Sequence, residues 1–429
     1  MNRICSALAI AFAGLTVFAG PLDKSWLKGE TDKNPLFYKL GETMVFTVTP
    51  MGVEGEIPAG KYFMKWRRSG DDGKKDEGKI PFNGEPFVYR TKLEKPGFVR
   101  ILAEIVDTDG KLVKRNIFGG GAGAEIDTLK ALPEPADFDQ FWKRQRAKLA
   151  KIPVRADLKE LPSKNDKVRI YGVSVDCAGP RPVTGYLTVP KAVDDGKLFP
   201  CRLVTHGYSY NPPHKAPSGG RIDEIVFNIN AHGMKLPSFG GDSEYYSKLG
   251  KEININGNGY GFDKKQNSDP EQAYFNGMVL RVIRALQYLK TVKGWDGKNL
   301  IASGGSQGGL QTIWAAGCGE GVTLAESNIT WCCDLGGETL GRNRGSWYIR
   351  WVPALGYYDA VNFAKRIPES CRTMIPRAGL GDYICPPSGL AILWNNIKGP
   401  KKISWMQGSD HGNVPPSYKG RDFVRKDRW

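Results

Sequence analysis

Histidine is scarce in this sequence: His206, His214, His232 and His411 are the only four. Any reaction that needs an imidazole base must draw on one of those positions. No CxxC pair and no Cys/His cluster occurs, which excludes the common structural zinc frameworks, so no metal is expected. Beyond Ala19 no apolar run is long enough to span a membrane. The formal charge is +16, yet no nucleic-acid-binding module accompanies it, so a basic soluble surface is expected and no nucleic-acid partner. A composition with 40% hydrophobic residues and 11 Trp excludes a disordered chain. The 429 residues exceed the ~250–300 at which a single core stops growing, so two domains are expected.

The amino terminus carries Arg3, then an apolar run from Ile4 to Ala19, then Gly20-Pro21 and the charged Asp23 and Lys24. This pattern predicts a secretory signal peptide over residues 1–19, cleaved near Ala19, where Val17 and Ala19 are suitably small. The run falls short of the ~20 residues of a spanning helix, so no stable membrane anchor is expected. Cys5 precedes the apolar core and cannot be a lipid-attachment site at the cleavage point. The predicted product is secreted or periplasmic. It retains seven cysteines, Cys177, Cys201, Cys318, Cys332, Cys333, Cys371 and Cys385, an odd number that cannot all pair within one chain. Buried thiols are favoured, with a Cys371–Cys385 bridge left open.

Residues 22–118 alternate short strand-like runs with turns, such as Met44–Thr49, Lys61–Trp66, Phe87–Arg90 and Phe98–Ile105. They predict a small all-β, immunoglobulin-like sandwich with no catalytic features. The glycine-rich run Gly119–Ala124 reads as a linker over residues 119–130. From 131 to 429 the texture changes. Asp137 is placed to cap a helix, and strands are expected at 168–175, 183–189, 201–205, 225–229, 300–303, 329–333, 372–378 and 403–406. An amphipathic helix is expected over 271–292, from the spacing of Val279, Val282, Ile283, Leu286 and Leu289. Alternating strands and helices predict an α/β domain, a mostly parallel sheet covered on both faces. Its chemistry belongs at the carboxyl ends of the strands.

Gly304-Gly305-Ser306-Gln307-Gly308-Gly309 joins a strand ending near Ser303 to a helix over 307–316. That is the frame of an α/β-hydrolase nucleophile elbow, where Gly304 and Gly308 keep the tight turn clear of neighbouring strands. Ser306 is the expected nucleophile. The fold places acid and base after it in the chain, which leaves His411 as the base. Asp382, directly after the strand at 372–378, is the preferred acid, and Asp334 is the alternative. The oxyanion is expected to be held by the backbone N–H groups of Gln307 and Tyr208. His206 is expected to brace the loop that bears Tyr208.

These pieces resemble the acetyl xylan esterase and cephalosporin C deacetylase family, carbohydrate esterase family seven. The resemblance rests on Asp137–Trp142, His206-Gly207-Tyr208, the Gly304–Gly309 run, Gly379-Leu380-Gly381-Asp382 with Cys385–Ser388, and His411, in family order from about Pro133 onward. It implies an α/β-hydrolase that removes acetyl groups from sugar hydroxyls without a cofactor, often as a homo-oligomer. The chain departs from the family at His232-Gly233-Met234, where the pattern has Arg-Gly-Gln, and at Gly412, where it has Glu. Both changes bear on substrate. The competing readings are a peptidase, an esterase for another acyl or uronate ester, and a carbohydrate-binding protein without activity.

Overall fold

The computed structural model describes residues 20–210, 216–415 and 422–429; the expected signal peptide and His214 lie outside them. The first seven strands are β1 (Trp26–Thr31), β2 (Met44–Met51), β3 (Tyr62–Gly70), β4 (Asp76–Pro81), β5 (Phe87–Thr91), β6 (Gly97–Asp107) and β7 (Leu112–Ala124). They form two antiparallel sheets, ordered β1-β2-β5 and β4-β3-β6-β7. Period-two alternation turns Met44, Phe46 and Val48 of β2 inward to meet Val99, Ile101, Ala103 and Ile105 of β6 in one apolar cluster. This is the predicted small sandwich.

The catalytic-type unit begins with α1 (Phe138–Ala150), followed by β8 (Ala156–Leu161), β9 (Val168–Val175), β10 (Val183–Pro190), β11 (Phe199–Thr205) and β12 (Ile225–Asn230). Next come α2 (Ser243–Ile253), α3 (Tyr274–Leu289), β13 (Trp295–Gly305), α4 (Gln307–Gly317), β14 (Leu324–Asn328) and α5 (Ala360–Ala364). The chain closes with β15 (Arg372–Gly379), α6 (Pro387–Asn396), β16 (Lys401–Met406) and β17 (Phe423–Asp427). Strands β8 to β17 build one ten-stranded sheet, ordered β17-β16-β15-β14-β13-β11-β12-β10-β9-β8. Its middle, from β12 through β11, β13, β14 and β15 to β16, is parallel, and the strands at either margin are antiparallel. The buried face of α3, with Val279, Val282, Ile283 and Leu286, packs into the large core.

Three sequence expectations need correction, and the alternative left open for the cysteines is resolved. The glycine run at 119–124 is no linker: it is the end of β7, paired with β6. Gly120 and Gly121 have no room for a side chain, because the strand passes closely against the neighbouring β6 and against loops of the large sheet. A Cβ at Gly120 would lie 2.3 Å from Gln407 Oε1, and one at Gly121 would lie 2.4 Å from the Val99 carbonyl and 3.0 Å from that of Leu380. The expected strand at 329–333 is irregular, since Ile329 and Cys332 take positive φ (40° and 54°), and the true strand is the more polar 324–328. Asp137 precedes α1 but does not cap it; its carboxylate takes the Tyr357 hydroxyl and Arg144 instead. Cys371 and Cys385 do not bridge, and all seven cysteines of the described residues are free.

The sandwich is therefore bonded into the second unit. Gly121 N–H donates to Gln407 Oε1 at 2.8 Å while Gln407 Nε2 donates to the Gly121 carbonyl at 2.8 Å, and Phe98 stacks on Trp405 with centroids 5.7 Å apart. Substituting Gly121→Ala is expected to lower unfolding stability by about 2 kcal/mol, because the new methyl meets backbone that cannot retreat. Denaturant midpoints measure this, and an unchanged midpoint would contradict the tight docking of β7.

Candidate active site

β13 ends at Gly305 and α4 starts at Gln307, so Ser306 alone makes the turn between them, at φ 57° and ψ −118°. A serine at positive φ is strained, and such strain persists only where the surroundings over-determine it. Here they do. Ser306 N–H donates to the Asn328 carbonyl at 2.9 Å, and the Ser306 carbonyl accepts from Leu310 and Trp331, both at 3.1 Å. Glycine is obligatory on both sides: a Cβ at Gly304 would sit 2.5 Å from Thr205 Oγ1, and one at Gly308 would sit 2.4 Å from the Thr205 carbonyl.

The loop after β11 lies directly beside this turn, since a Cβ at Gly207 would be 3.9 Å from that of Ser306. His206 holds the loop's shape. Its Nε2 accepts the Ala231 N–H at 3.0 Å, so Nδ1 carries the proton and donates to the Gly207 carbonyl at 2.7 Å. Among the described residues, the backbone N–H groups of Tyr208 and Gln307 have no hydrogen-bond partner. Tyr260, which sequence reasoning missed, ties the two loops together. Its ring stacks on Tyr208 at 4.1 Å, and its hydroxyl accepts from Ser209 N–H at 3.1 Å and donates to Gln307 Oε1 at 2.8 Å.

Asp382 follows β15 and is fully buried. Its Oδ2 lies 2.9 Å from His411 Nδ1, while Oδ1 accepts the N–H groups of Ile384 and Cys385 at 2.9 and 3.0 Å. Those bonds fix the carboxylate, and Asp382 in turn fixes the imidazole with Nδ1 protonated. Arg377 reaches the His411 carbonyl at 2.8 Å, and Asp410 caps its own loop by accepting from Gly412 and Asn413. Asp334 is not at this histidine. It pairs with Arg342, and burial pushes its carboxyl up to about 7. Among the described residues Ser306 Oγ and His411 Nε2 make no hydrogen bond to each other; such bonds commonly tighten only with substrate bound.

Asp382, Cys385 and His411 place donor atoms within 4.8 Å of one another. They are a poor metal site, because the Cys385 thiol donates to the Ile329 carbonyl at 3.1 Å and burial drives it well above the usual thiol range, away from the thiolate a metal needs.

The His232-Gly233-Met234 departure is accommodated by neighbouring cations. His232 is fully buried, donates through Nε2 to the Ser209 carbonyl at 2.7 Å and accepts the Tyr274 hydroxyl at Nδ1 at 2.7 Å; burial lowers its pKa to about 3, so it is neutral. Arg181 and Arg281 donate to the carbonyls of His232 and Ala231 at 2.6 and 2.9 Å. A neutral ring thus braces the Ser209 loop, and the guanidinium groups come from elsewhere in the chain.

The acetyl xylan esterase (AXE1) family model matches residues 125–336 and 349–425, leaving 337–348 unmatched between them. The acetyl esterase Axe7A of Xylanibacter ruminicola is 28% identical over 343 residues, covering 76% of this chain and 73% of the relative. Among solved structures, the acetyl xylan esterase from Paenibacillus sp. R4 superposes with a TM-score of 0.54 at 25% identity, over 68% of this chain and 94% of that one. Acetyl xylan esterase 1 from Thermoanaerobacterium sp. JW/SL YS485 shares the fold, with a TM-score of 0.52 at 21% identity over the same shares. The chain belongs to the acetyl xylan esterase family and is a carboxylic ester hydrolase of the α/β-hydrolase fold.

Proposed function

We propose that the protein removes acetyl groups from carbohydrate hydroxyls through an acyl-serine intermediate, with Ser306 as nucleophile, His411 as base and Asp382 as the acid that orients it. The observation that carries this reading is the 2.9 Å His411–Asp382 bond on loops adjoining a serine held at positive φ. Ser306 Oγ bonds to the acetyl carbonyl carbon as its proton passes to His411 Nε2. The Tyr208 and Gln307 N–H groups receive the resulting oxyanion. Collapse breaks the bond to the sugar oxygen, which leaves with the proton from His411. Water then attacks the acetyl-serine, giving its proton to His411, and acetate departs as Ser306 is reprotonated. No cofactor takes part in this scheme.

Export is part of the proposal, resting on Arg3, the apolar run to Ala19 and the small residues Val17 and Ala19. Amino-terminal sequencing of the exported protein should find its first residue at Gly20 or close to it; recovery with Met1 intact would contradict this.

Acetate release from acetylated xylan is expected to fall by at least about a thousandfold in Ser306→Ala and by a similar order in Asp382→Asn, which lets the imidazole adopt the wrong tautomer. Wild-type rates in either variant would refute the assignment. Tyr260→Phe removes the hydroxyl that links Gln307 to the Ser209 loop, and kcat on a small acetyl ester should drop about tenfold. An unchanged kcat would show that Tyr260 does not position the oxyanion donors.

A further inference from the structure

Residues 337–348, the gap between the two matched segments, form a strap between the sandwich and the loop that bears Asp382. On the sandwich side, Asn343 N–H donates to Asp71 Oδ1 at 2.8 Å and Asn343 Nδ2 donates to Ser69 Oγ at 2.9 Å. Asp71 is buried and its second oxygen accepts Phe98 N–H at 2.8 Å, so the anchor is rigid. On the other side, Gly345 N–H donates to the carbonyl of Tyr383, the neighbour of Asp382, at 2.8 Å; a Cβ at Gly345 would meet that carbonyl at 2.3 Å. The Arg342–Asp334 ion pair ties down the same strap.

Held this way, the strap delivers Trp347 edge-on to Tyr208, with centroids 5.0 Å apart, and to Phe262 at 5.9 Å. Trp347 is nonetheless 43% exposed. Tyr348, also exposed, has the Arg344 guanidinium 3.4 Å from its ring centroid. Both aromatics line one open, shallow cleft of about 60 Å³. Trp331, whose N–H is bonded to the Ser306 carbonyl, lines it too, as does Tyr383. The cleft thus adjoins the serine's surroundings at two points, through Trp331, bonded to the Ser306 backbone, and through Trp347, packed on the Tyr208 ring. A single exposed apolar residue needs no explanation, but two aromatics with flanking polar groups in one cleft match how ligands with apolar faces and hydroxyl rims are held.

We propose that Trp347 and Tyr348 form a binding face for the sugar unit adjoining the acetylated one, and that the sandwich sets its position through Asp71 and Asn343. The inference rests on the carbohydrate esterase reading above. The aromatic rings cover the C–H face of a pyranose, and the polar side chains of the strap meet its hydroxyls. Asp71 is a positioning residue, acting through Asn343 and never touching the sugar.

The test compares kcat/KM on acetylated xylo-oligosaccharide with kcat/KM on a small activated acetyl ester, in the full chain. The oligosaccharide-to-ester ratio should fall about tenfold in Trp347→Ala and about threefold or more in Asp71→Ala. Equal losses on both substrates, the signature of general structural damage, would overturn the proposal, as would an unchanged ratio. A binding arm separates this inference from the mechanism: calorimetry with xylohexaose on Ser306→Ala should show affinity about tenfold weaker when Trp347→Ala is added. Equal affinity, or no measurable binding in Ser306→Ala, would overturn the binding face even where ester hydrolysis is intact. Trp347-dependent sugar binding in a wild-type chain that hydrolyses no acetyl ester would support the face and sink the esterase mechanism alone.

Discussion

The arrangement of the site depends on the close approach of β7 to the loops that follow β15 and β16. Gly121 and Gln407 exchange two backbone-to-amide hydrogen bonds, and Gln407 lies only four residues before His411. A Cβ at Gly381, beside Asp382, would fall 2.0 Å from the Gly119 carbonyl. Gly120 and Gly121 in β7, with Gly381 opposite, thus let the backbone of the sandwich touch the two loops that carry Asp382 and His411. Bulkier residues there would hold those loops away, and Asp382 and His411 would lose the support that keeps them 2.9 Å apart. The sandwich is, on this view, a structural wall of the catalytic unit.

The electrostatics around the serine follow from burial. His232 is kept neutral by its apolar surroundings, so it braces the Ser209 carbonyl without adding a charge next to the Tyr208 loop. Asp382 is buried too, but it accepts two backbone N–H groups and the imidazole, which gives the carboxylate the partners a buried charge requires. The two unpartnered N–H groups at Tyr208 and Gln307 are held by a third party, the Tyr260 ring and hydroxyl. In the proposed mechanism, such preorganised donors cost no reorganisation when negative charge develops on a substrate oxygen.

Much of this was legible in the sequence where the signal was local. The strand at 168–175 falls where alternation placed it, and the glycine-flanked serine forms the tight turn that its neighbours demanded. The His411–Asp382 pairing came from chain order and from the position of each residue after a strand. What local reading could not reach were contacts between distant segments. The glycine run looked like a linker because two of the groups that crowd it, Gln407 and Leu380, lie more than half the chain away. Apolar Ile329–Cys333 resembled a strand, but the segment turns under the serine at positive φ, and the paired strand is the half-polar run before it, where Glu326 meets Arg202 across the sheet. Tyr260 and Trp347 carry no motif, so only the fold shows that they meet Tyr208.

The central claim is that Ser306 is an activated nucleophile whose reactivity depends on His411. Treating the full chain with a fluorophosphonate and mapping the adduct by peptide mass spectrometry tests it directly, because such reagents bond covalently to a serine only where a base withdraws its proton. The account predicts one adduct, on the peptide containing Ser306, and its loss in His411→Ala. An adduct on another residue, or undiminished labelling of Ser306 without His411, would contradict it.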